Sequence, residues 1–310
     1  MKKVFIDGGA GTTGLRIKER LSNRTDIELI ILSEDKRKDT TARREAINGA
    51  DIAFLCLPDA AAIEAVSLIE NPETVVIDAS TAHRTNPDWT YGFPELSKEH
   101  EEKIKKSKRI ANPGCHASGF ISLVYPLVEK GIISKDILLS CTSLTGYSGG
   151  GKKMIADYES MERDWLLEAP RQYGLTQSHK HLPEMKAISG IENDPVFLPI
   201  VAAFYSGMEV TVPLFKSQLN DGFSAEDIKN AYKEKYSGPI VKYVEDFDED
   251  GFCSANRLEM KDSMEISVSG NEDRILLIAR YDNLGKGASG AAIECMNLVL
   301  GADLTEGLDI

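Results

Sequence analysis

The chain opens on Val4-Phe5-Ile6-Asp7, an apolar run that breaks into Gly8-Gly9-Ala10-Gly11-Thr12-Thr13-Gly14 and resumes as LRIKERLSNR with apolar positions at helical spacing. Strand, tight turn and helix are predicted, the start of a parallel βαβ unit. Short apolar runs follow at ELIILS (28–33), DIAFLCLP (51–58) and TVVIDAS (74–80), separated by helical or polar segments. Their continuity, in place of alternation, predicts strands of a sheet covered on both faces. Residues 81–109 are polar, and KEHEEKIKKSKR within them reads as a solvated helix. After RIANPGC the pattern changes. FISLVYPLVEKG (120–131) predicts a buried helix closed by Gly131, and ILLSCTSLTG predicts a strand. VFLPIVAAF, GMEVTVPLF, MEISVSG and RILLIARYD are alternating or β-branched, as in a mixed, largely antiparallel sheet. The boundary is therefore placed near residue 113, and GASGAAIECMNLVLG at the end predicts a tightly packing, small-residue helix that could return to the first domain.

A length of 310 residues suits one or two domains, and two are expected. Lys and Arg number 36 against 49 Asp and Glu, a net charge of −13, which disfavours nucleic acid or an anionic membrane surface as partner and favours a small ligand. No apolar run approaches the roughly 18 residues of a membrane helix. Met1-Lys2-Lys3 leads directly into the first strand, so a cytoplasmic home is expected. Cysteines 56, 115, 141, 253 and 295 form no CxxC pair, so each is weighed as a single thiol and no metal is expected.

Gly9, Gly11 and Gly14 complete G-x-G-x-x-G between a strand and a helix, where Gly9, Gly11, Thr12, Thr13 and Gly14 would receive a dinucleotide pyrophosphate on free N–H groups. Ser33 and the basic Lys36, Arg37 and Lys38 after the second strand favour NADP over NAD, although Glu34 and Asp35 share that loop. Ser80, in DASTAHR, ends another strand on the expected cofactor side. Arg84 there is a candidate for a substrate anion, with a surface arginine as the alternative.

Cys115 follows Asn112-Pro113-Gly114 and precedes the apolar helix, where the positive end of the helix favours thiolate. A reductase of alcohols and ketones needs no covalent nucleophile, so a dinucleotide turn with an activated thiol points to acyl and aldehyde oxidation levels, through a thioester. The proton carrier is sought in QSHKHLPEM, where His179 and His181 are expected on one face of an extended segment. His181 is slightly preferred as acid/base and His179 as substrate-orienting, with a zinc pair as rival. Gly146-Tyr147-Ser148-Gly149-Gly150-Gly151-Lys152-Lys153 nearly spells a P-loop, but Lys153 stands where a hydroxyl should hold magnesium. An anion cradle of glycine N–H groups, Ser148, Gly149 and Lys152 for the substrate is the looser expectation.

FIDGGAGTTGLRI, DASTAHR, WTYGFPEL, ANPGCHASG, SHKHLPE and DNLGKGASGAAIECMNLVLG together resemble the shorter (type 2) subgroup of the N-acetyl-gamma-glutamyl-phosphate reductases, over most of the chain. The resemblance implies an α/β fold: a Rossmann-type dinucleotide-binding domain, 1–113 completed by the C-terminal helix within 284–310, and an α+β catalytic and association domain, 114–283. It implies NADPH, an acyl-phosphate substrate, Cys115 as nucleophile, a histidine of HKH as acid/base, a homodimer or homotetramer, and a place in arginine synthesis. It also brings Asn112, Asn283, Lys286 and Gly287 to the nicotinamide end of the cofactor. The aromatic and Pro-Thr that usually follow the catalytic cysteine are His116, Ala117 and Ser118 here, a difference in the pocket wall. Aspartate-semialdehyde dehydrogenase is the alternative enzyme, and a dinucleotide-binding regulator whose Cys115 senses oxidants is the alternative of another class.

Overall fold

A computed structural model describes all 310 residues, in two compact units: Met1–Gly114 with Ala288–Asp309, and Cys115–Gly287 with Ile310. The first holds β1 (Lys2–Asp7), α1 (Thr12–Leu21), β2 (Ile27–Ile30), α2 (Thr40–Gly49), β3 (Ile52–Leu55), α3 (Asp59–Ser67), β4 (Val75–Asp78), β5 (Thr90–Tyr91), α4 (Lys98–Lys106) and β6 (Arg109–Ala111). Its six strands run in the order β2-β1-β3-β4-β6-β5, every pair parallel. The continuous apolar runs explain this: β3 and β4 are buried along their whole length because both faces are covered.

The second unit holds α5 (Cys115–Glu129), β7 (Ser140–Gly146), α6 (Gly151–Glu159), β8 (Arg171–Gln172), α7 (Leu182–Ser189), β9 (Val196–Ala202), β10 (Met208–Phe215), α8 (Ala225–Lys235), β11 (Val241–Tyr243), β12 (Met264–Gly270) and β13 (Arg274–Tyr281). Its seven-stranded sheet, β11-β12-β13-β10-β7-β9-β8, is mixed: β11 with β12 and β7 with β9 are parallel, the other pairs antiparallel. α5 lies on this sheet and is buried nearly throughout. The last helix, α9 (Gly290–Leu300), belongs to the first unit, where Ile293, Cys295 and Met296 join Ile77, Ile104 and Ile110 in one core. Arg24 fastens the following tail, donating to Asn297 Oδ1 at 2.7 Å and to the Glu306 carbonyl at 3.0 Å. No helix is long and apolar enough to cross a membrane.

Two local expectations differ. The buried helix begins at Cys115, five residues before its apolar run, because His116, Ala117 and Ser118 are also buried. The HKH segment is not extended: residues 180 and 181 turn, since the chain must reverse to enter α7, and His181 takes the N-cap position with helical dihedrals.

Candidate active site

The glycine turn separates two demands on glycine. Gly8, outside the fingerprint, has φ +83°, and a Cβ on it would lie 2.2 Å from the Cys56 carbonyl oxygen. A Cβ on Gly14 would lie 2.7 Å from the Gly8 oxygen, so packing of α1 on the turn requires glycine there as well. Gly9 and Gly11 are different: a Cβ on either meets protein atoms only at ordinary contact distances, 3.6 and 3.5 Å. Packing therefore does not require glycine at either position. Gly11 gives α1 no side-chain cap, as is also the case for α3, α6, α7 and α9, so the first N–H groups of α1 are left to solvent or a ligand.

Ser33, Lys36 and Arg37 share an exposed turn after β2, with the Lys36 and Arg37 N–H groups both donating to the Ser33 carbonyl. Arg37 pairs with Glu34 at 3.0 Å. At the end of β4, Asp78 accepts the Ser80 hydroxyl at 2.6 Å and lies 2.7 Å from His83 Nδ1, while the His83 ring stacks on Trp89. Arg84 is buried, not at the surface: Nε donates to the Asn112 carbonyl and Nη2 to the Ala79 carbonyl, tying the ends of β4 and β6 together. Asn112 donates through Nδ2 to the Ala288 carbonyl at 2.9 Å, and its buried Oδ1 has no hydrogen-bond partner. An orphaned amide acceptor in the dinucleotide-binding unit suits a donor on a ligand, such as a carboxamide. The open cradle and this acceptor fit a bound dinucleotide.

In the second unit Cys115 is the first residue of α5. Tyr281 holds that turn, donating to the Cys115 carbonyl and accepting from Gly119 N–H. Gly287 packs on Cys115: a Cβ there would stand 3.1 Å from Cys115 Cβ. Burial pushes the Cys56 and Cys253 thiols up to about 12 and raises that of Cys141 also, so these three are poor nucleophiles.

Three imidazoles gather together, one of them on His116, the residue after Cys115. The His116 ring centroid lies 5.7 Å from that of His179 and 5.5 Å from that of His181, and His179 and His181 are edge to face at 4.8 Å. His181 N–H donates to His179 Nδ1 at 3.2 Å, which fixes the neutral tautomer of His179 with its proton on Nε2. Burial, then Lys180, lowers the His179 pKa. His181 is buried, with Nε2 4.0 Å from the buried carboxylate of Glu184. No group of three or more His, Cys, Asp and Glu side chains is arranged to hold a metal ion.

The remaining candidates divide. Asn283 is buried and spent within its own unit, donating to Ser148 Oγ at 3.0 Å and accepting Gly207 N–H at 2.9 Å. Gly149 lies in the same short turn, a Cβ there coming 3.4 Å from Asn283 Nδ2, and Lys152 is exposed on the first turn of α6. The N–H groups of Gly146, Tyr147 and Ser148 donate to the carbonyls of Gly207, Phe204 and Tyr205, so those three are not available to an anion. Lys286 is fully buried. Glu184, Tyr173 and Tyr281 escaped the sequence reading. For Glu184 a signal existed, the three-residue step from His181 on a helix start; the tyrosines come from distant segments and left none.

Two family models match: the semialdehyde dehydrogenase NAD binding domain over residues 3–104 and the semialdehyde dehydrogenase dimerisation domain over 115–283. Curated proteins of Brucella ovis, Brucella canis and Brucella melitensis, each named N-acetyl-gamma-glutamyl-phosphate reductase, are 44% identical over 306 residues, 96% of this chain and 99% of theirs. Among solved structures, aspartate semialdehyde dehydrogenase II of Vibrio cholerae complexed with ASA superposes with a TM-score of 0.72 at 16% identity, covering 97% of this chain and 98% of that one. Aspartate semialdehyde dehydrogenase of Candida albicans with NADP gives 0.68 at 16%, covering 97% and 99%. At such identity the structures establish the shared fold.

Proposed function

The chain belongs to the semialdehyde dehydrogenases and among them to the N-acetyl-gamma-glutamyl-phosphate reductases, and we propose from that premise that it reduces N-acetyl-gamma-glutamyl phosphate to N-acetylglutamate 5-semialdehyde and phosphate, in arginine synthesis. Cys115 Sγ attacks the acyl carbon, the bond to the phosphate oxygen breaks, and phosphate leaves a thioester on the chain. Bound NADPH supplies the hydride for the thioester carbonyl, and Gly9, Gly11, Thr12, Thr13 and Asn112 would hold it. His181 delivers the proton to the resulting oxyanion and takes it back as the thiohemiacetal collapses to aldehyde and thiolate. Glu184 steadies the protonated imidazole. His179 has its Nδ1 engaged and offers Nε2–H, so it orients the substrate as a donor. Lys36 and Arg37 favour the cofactor's 2′-phosphate by charge and Ser33 through its hydroxyl, and Ser80 orders the end of β4.

The single observation that carries this reading is Cys115 on the first turn of a buried helix, with the imidazoles of His179 and His181 gathered about the ring of the next residue, His116. The test is the reverse reaction. NADP should be reduced only when N-acetylglutamate semialdehyde and inorganic phosphate are both present, and aspartate semialdehyde should serve far less well. Turnover without phosphate, or equal use of aspartate semialdehyde, would refute it. A cytoplasmic homodimer or homotetramer built on the dimerisation domain is part of the proposal, checked by light scattering of the purified chain.

A further inference from the structure

Asp282 directly follows β13 and has no part in the steps above. It is fully buried, and its carboxylate accepts four hydrogen bonds, two on each oxygen. Oδ1 accepts the N–H groups of Leu284 at 2.8 Å and Gly285 at 2.7 Å, which turns the chain back on itself as soon as it leaves the strand. Oδ2 accepts the Ser206 hydroxyl at 2.5 Å and the Met260 N–H at 2.8 Å, from two loops distant in sequence. A carboxylate has about four acceptor positions, so this one is saturated.

Three loops therefore meet on one side chain: 204–207 between β9 and β10, 256–262 ahead of β12, and 282–287. They meet at backbone distance. A Cβ on Gly285 would stand 1.9 Å from the Lys261 carbonyl oxygen, so no side chain fits between the second loop and the third. Met260 is held at φ +67°, a conformation that non-glycine residues rarely adopt, at the point where its N–H reaches Asp282. Asn283 adds a second clasp on the first loop, accepting the Gly207 N–H beside the Ser206 bond. The third loop ends against the nucleophile. Gly287 N–H donates to the Asp282 carbonyl at 3.0 Å, five residues back, so the turn is wider than an α-helical one. The bare side of Gly287 then meets the start of α5: a Cβ there would stand 3.1 Å from Cys115 Cβ and 3.0 Å from the Asp282 carbonyl oxygen. Such distances leave little slack, so a shift of this turn displaces the wall behind Cys115.

We propose that Asp282 is a positioning residue for the acyl-transfer step: through the turn that its carboxylate organises, it fixes Gly287 against Cys115 and so holds the sulfur on its line of attack. The Cys115 main chain is already tied on its other side, where Tyr281 bonds its carbonyl and the Gly119 N–H. The side chain itself is backed by Gly287. An attack geometry that slips by about 1 Å costs about 10²-fold in rate, while the groups that bind the substrate are untouched. The loss of Asp282 therefore falls on the rate of acylation and not on the substrate concentration that half-saturates it.

The inference rests on Cys115 being the nucleophile, and the experiment separates the two claims. Acylation is followed alone, as phosphate release from N-acetyl-gamma-glutamyl phosphate by the full-length enzyme without NADPH, with the acyl group located by peptide mass spectrometry. Asp282→Ala, which removes all four bonds, should slow acylation about 10²-fold and change the half-saturating substrate concentration by less than about threefold. Asp282→Asn should come within about fivefold of wild type, because its amide oxygen in the place of Oδ1 still accepts from Leu284 and Gly285 and its amide nitrogen can donate to a reversed Ser206 hydroxyl. Gly287→Ala should slow acylation about tenfold, and adding it to Asp282→Ala should cost nothing more, since both act through one contact. Should Asp282→Ala not fold, Ser206→Ala takes its place, with a slowing of about threefold and the same lack of additivity with Gly287→Ala. A wild-type acylation rate in Asp282→Ala, or in Ser206→Ala where that is the variant used, overturns the positioning role, and so do effects that multiply in the double variant. A wild-type enzyme whose acyl group sits on a residue other than Cys115 overturns the assignment of the nucleophile instead.

Discussion

The glycine turn of the first unit and the cysteine-histidine cluster of the second solve opposite problems. At the turn, side chains are withheld: Gly9 and Gly11 stay bare although packing does not require it, and α1 starts without a side-chain cap. In the cluster, side chains crowd together and tie one another's polar atoms, His179 to His181 and His116 to Ser143 and Tyr173. Binding through the main chain asks of the sequence only that it stay bare, whereas chemistry asks for named atoms in fixed protonation states. Substitutions should therefore have different signatures in the two regions, on affinity in one and on turnover in the other.

The largest expected effect is Cys115→Ser, which should lower turnover by about 10⁴-fold or more while NADPH affinity, followed by fluorescence titration, stays nearly unchanged. Loss of cofactor binding in this variant would collapse the distinction. Next, His181→Ala should cut kcat by about 10²- to 10⁴-fold, whereas His179→Ala should act mainly on KM; equal effects on kcat would deny the division between acid/base and orienting donor. Within the turn, Gly11→Ala should weaken NADPH binding by about tenfold with Tm unchanged, because only the ligand's space is filled. Gly14→Ala should lower Tm by about 3 °C or more, because its Cβ meets the Gly8 oxygen.

A pH series sharpens the contrast further. The folded-state pKa of His116 is about 3 against an ordinary 6.5, so between those values the unfolded chain binds the additional proton. The stability linked to this ring is complete above pH 6.5 and is lost as pH falls toward 3, by at most about 1.4 kcal/mol per pH unit. Thermal denaturation between pH 4 and 7 should show a shallower slope in His116→Gln than in the wild type, and equal slopes would mean that the ring already takes up its proton in the fold. The smallest effect is expected for Lys36→Ala, a few-fold loss of preference for NADPH over NADH in steady-state kinetics, since the residue is exposed and screened.

These regions were also unequally legible in the sequence. The parallel sheet announces itself through local signals: unbroken apolar runs and a glycine turn all within a few residues of one another, which is why the α/β class could be read from the chain. Cys115 was visible as a candidate because its activating feature, a helix start, is also local. The row joining His116, Ser143 and Tyr173 spans residues 116 to 173 and depends on which strand lies beside which. No periodicity encodes that a histidine beside a cysteine will be neutral and locked at both nitrogens. Likewise Gly146–Lys153 has the composition of an anion loop, but the N–H groups of Gly146, Tyr147 and Ser148 meet carbonyls of residues 204–207, brought there by tertiary folding. The HKH segment reads as extended by spacing, yet entry into α7 bends it.

The most direct measurement is of the covalent step alone. Enzyme mixed with N-acetyl-gamma-glutamyl phosphate in the absence of NADPH, quenched in acid and digested, should release one phosphate per chain and carry one acyl group on the peptide containing Cys115. An acyl group on another residue, or phosphate release with the Cys115 thiol left unmodified in an enzyme that turns over normally, would contradict the account.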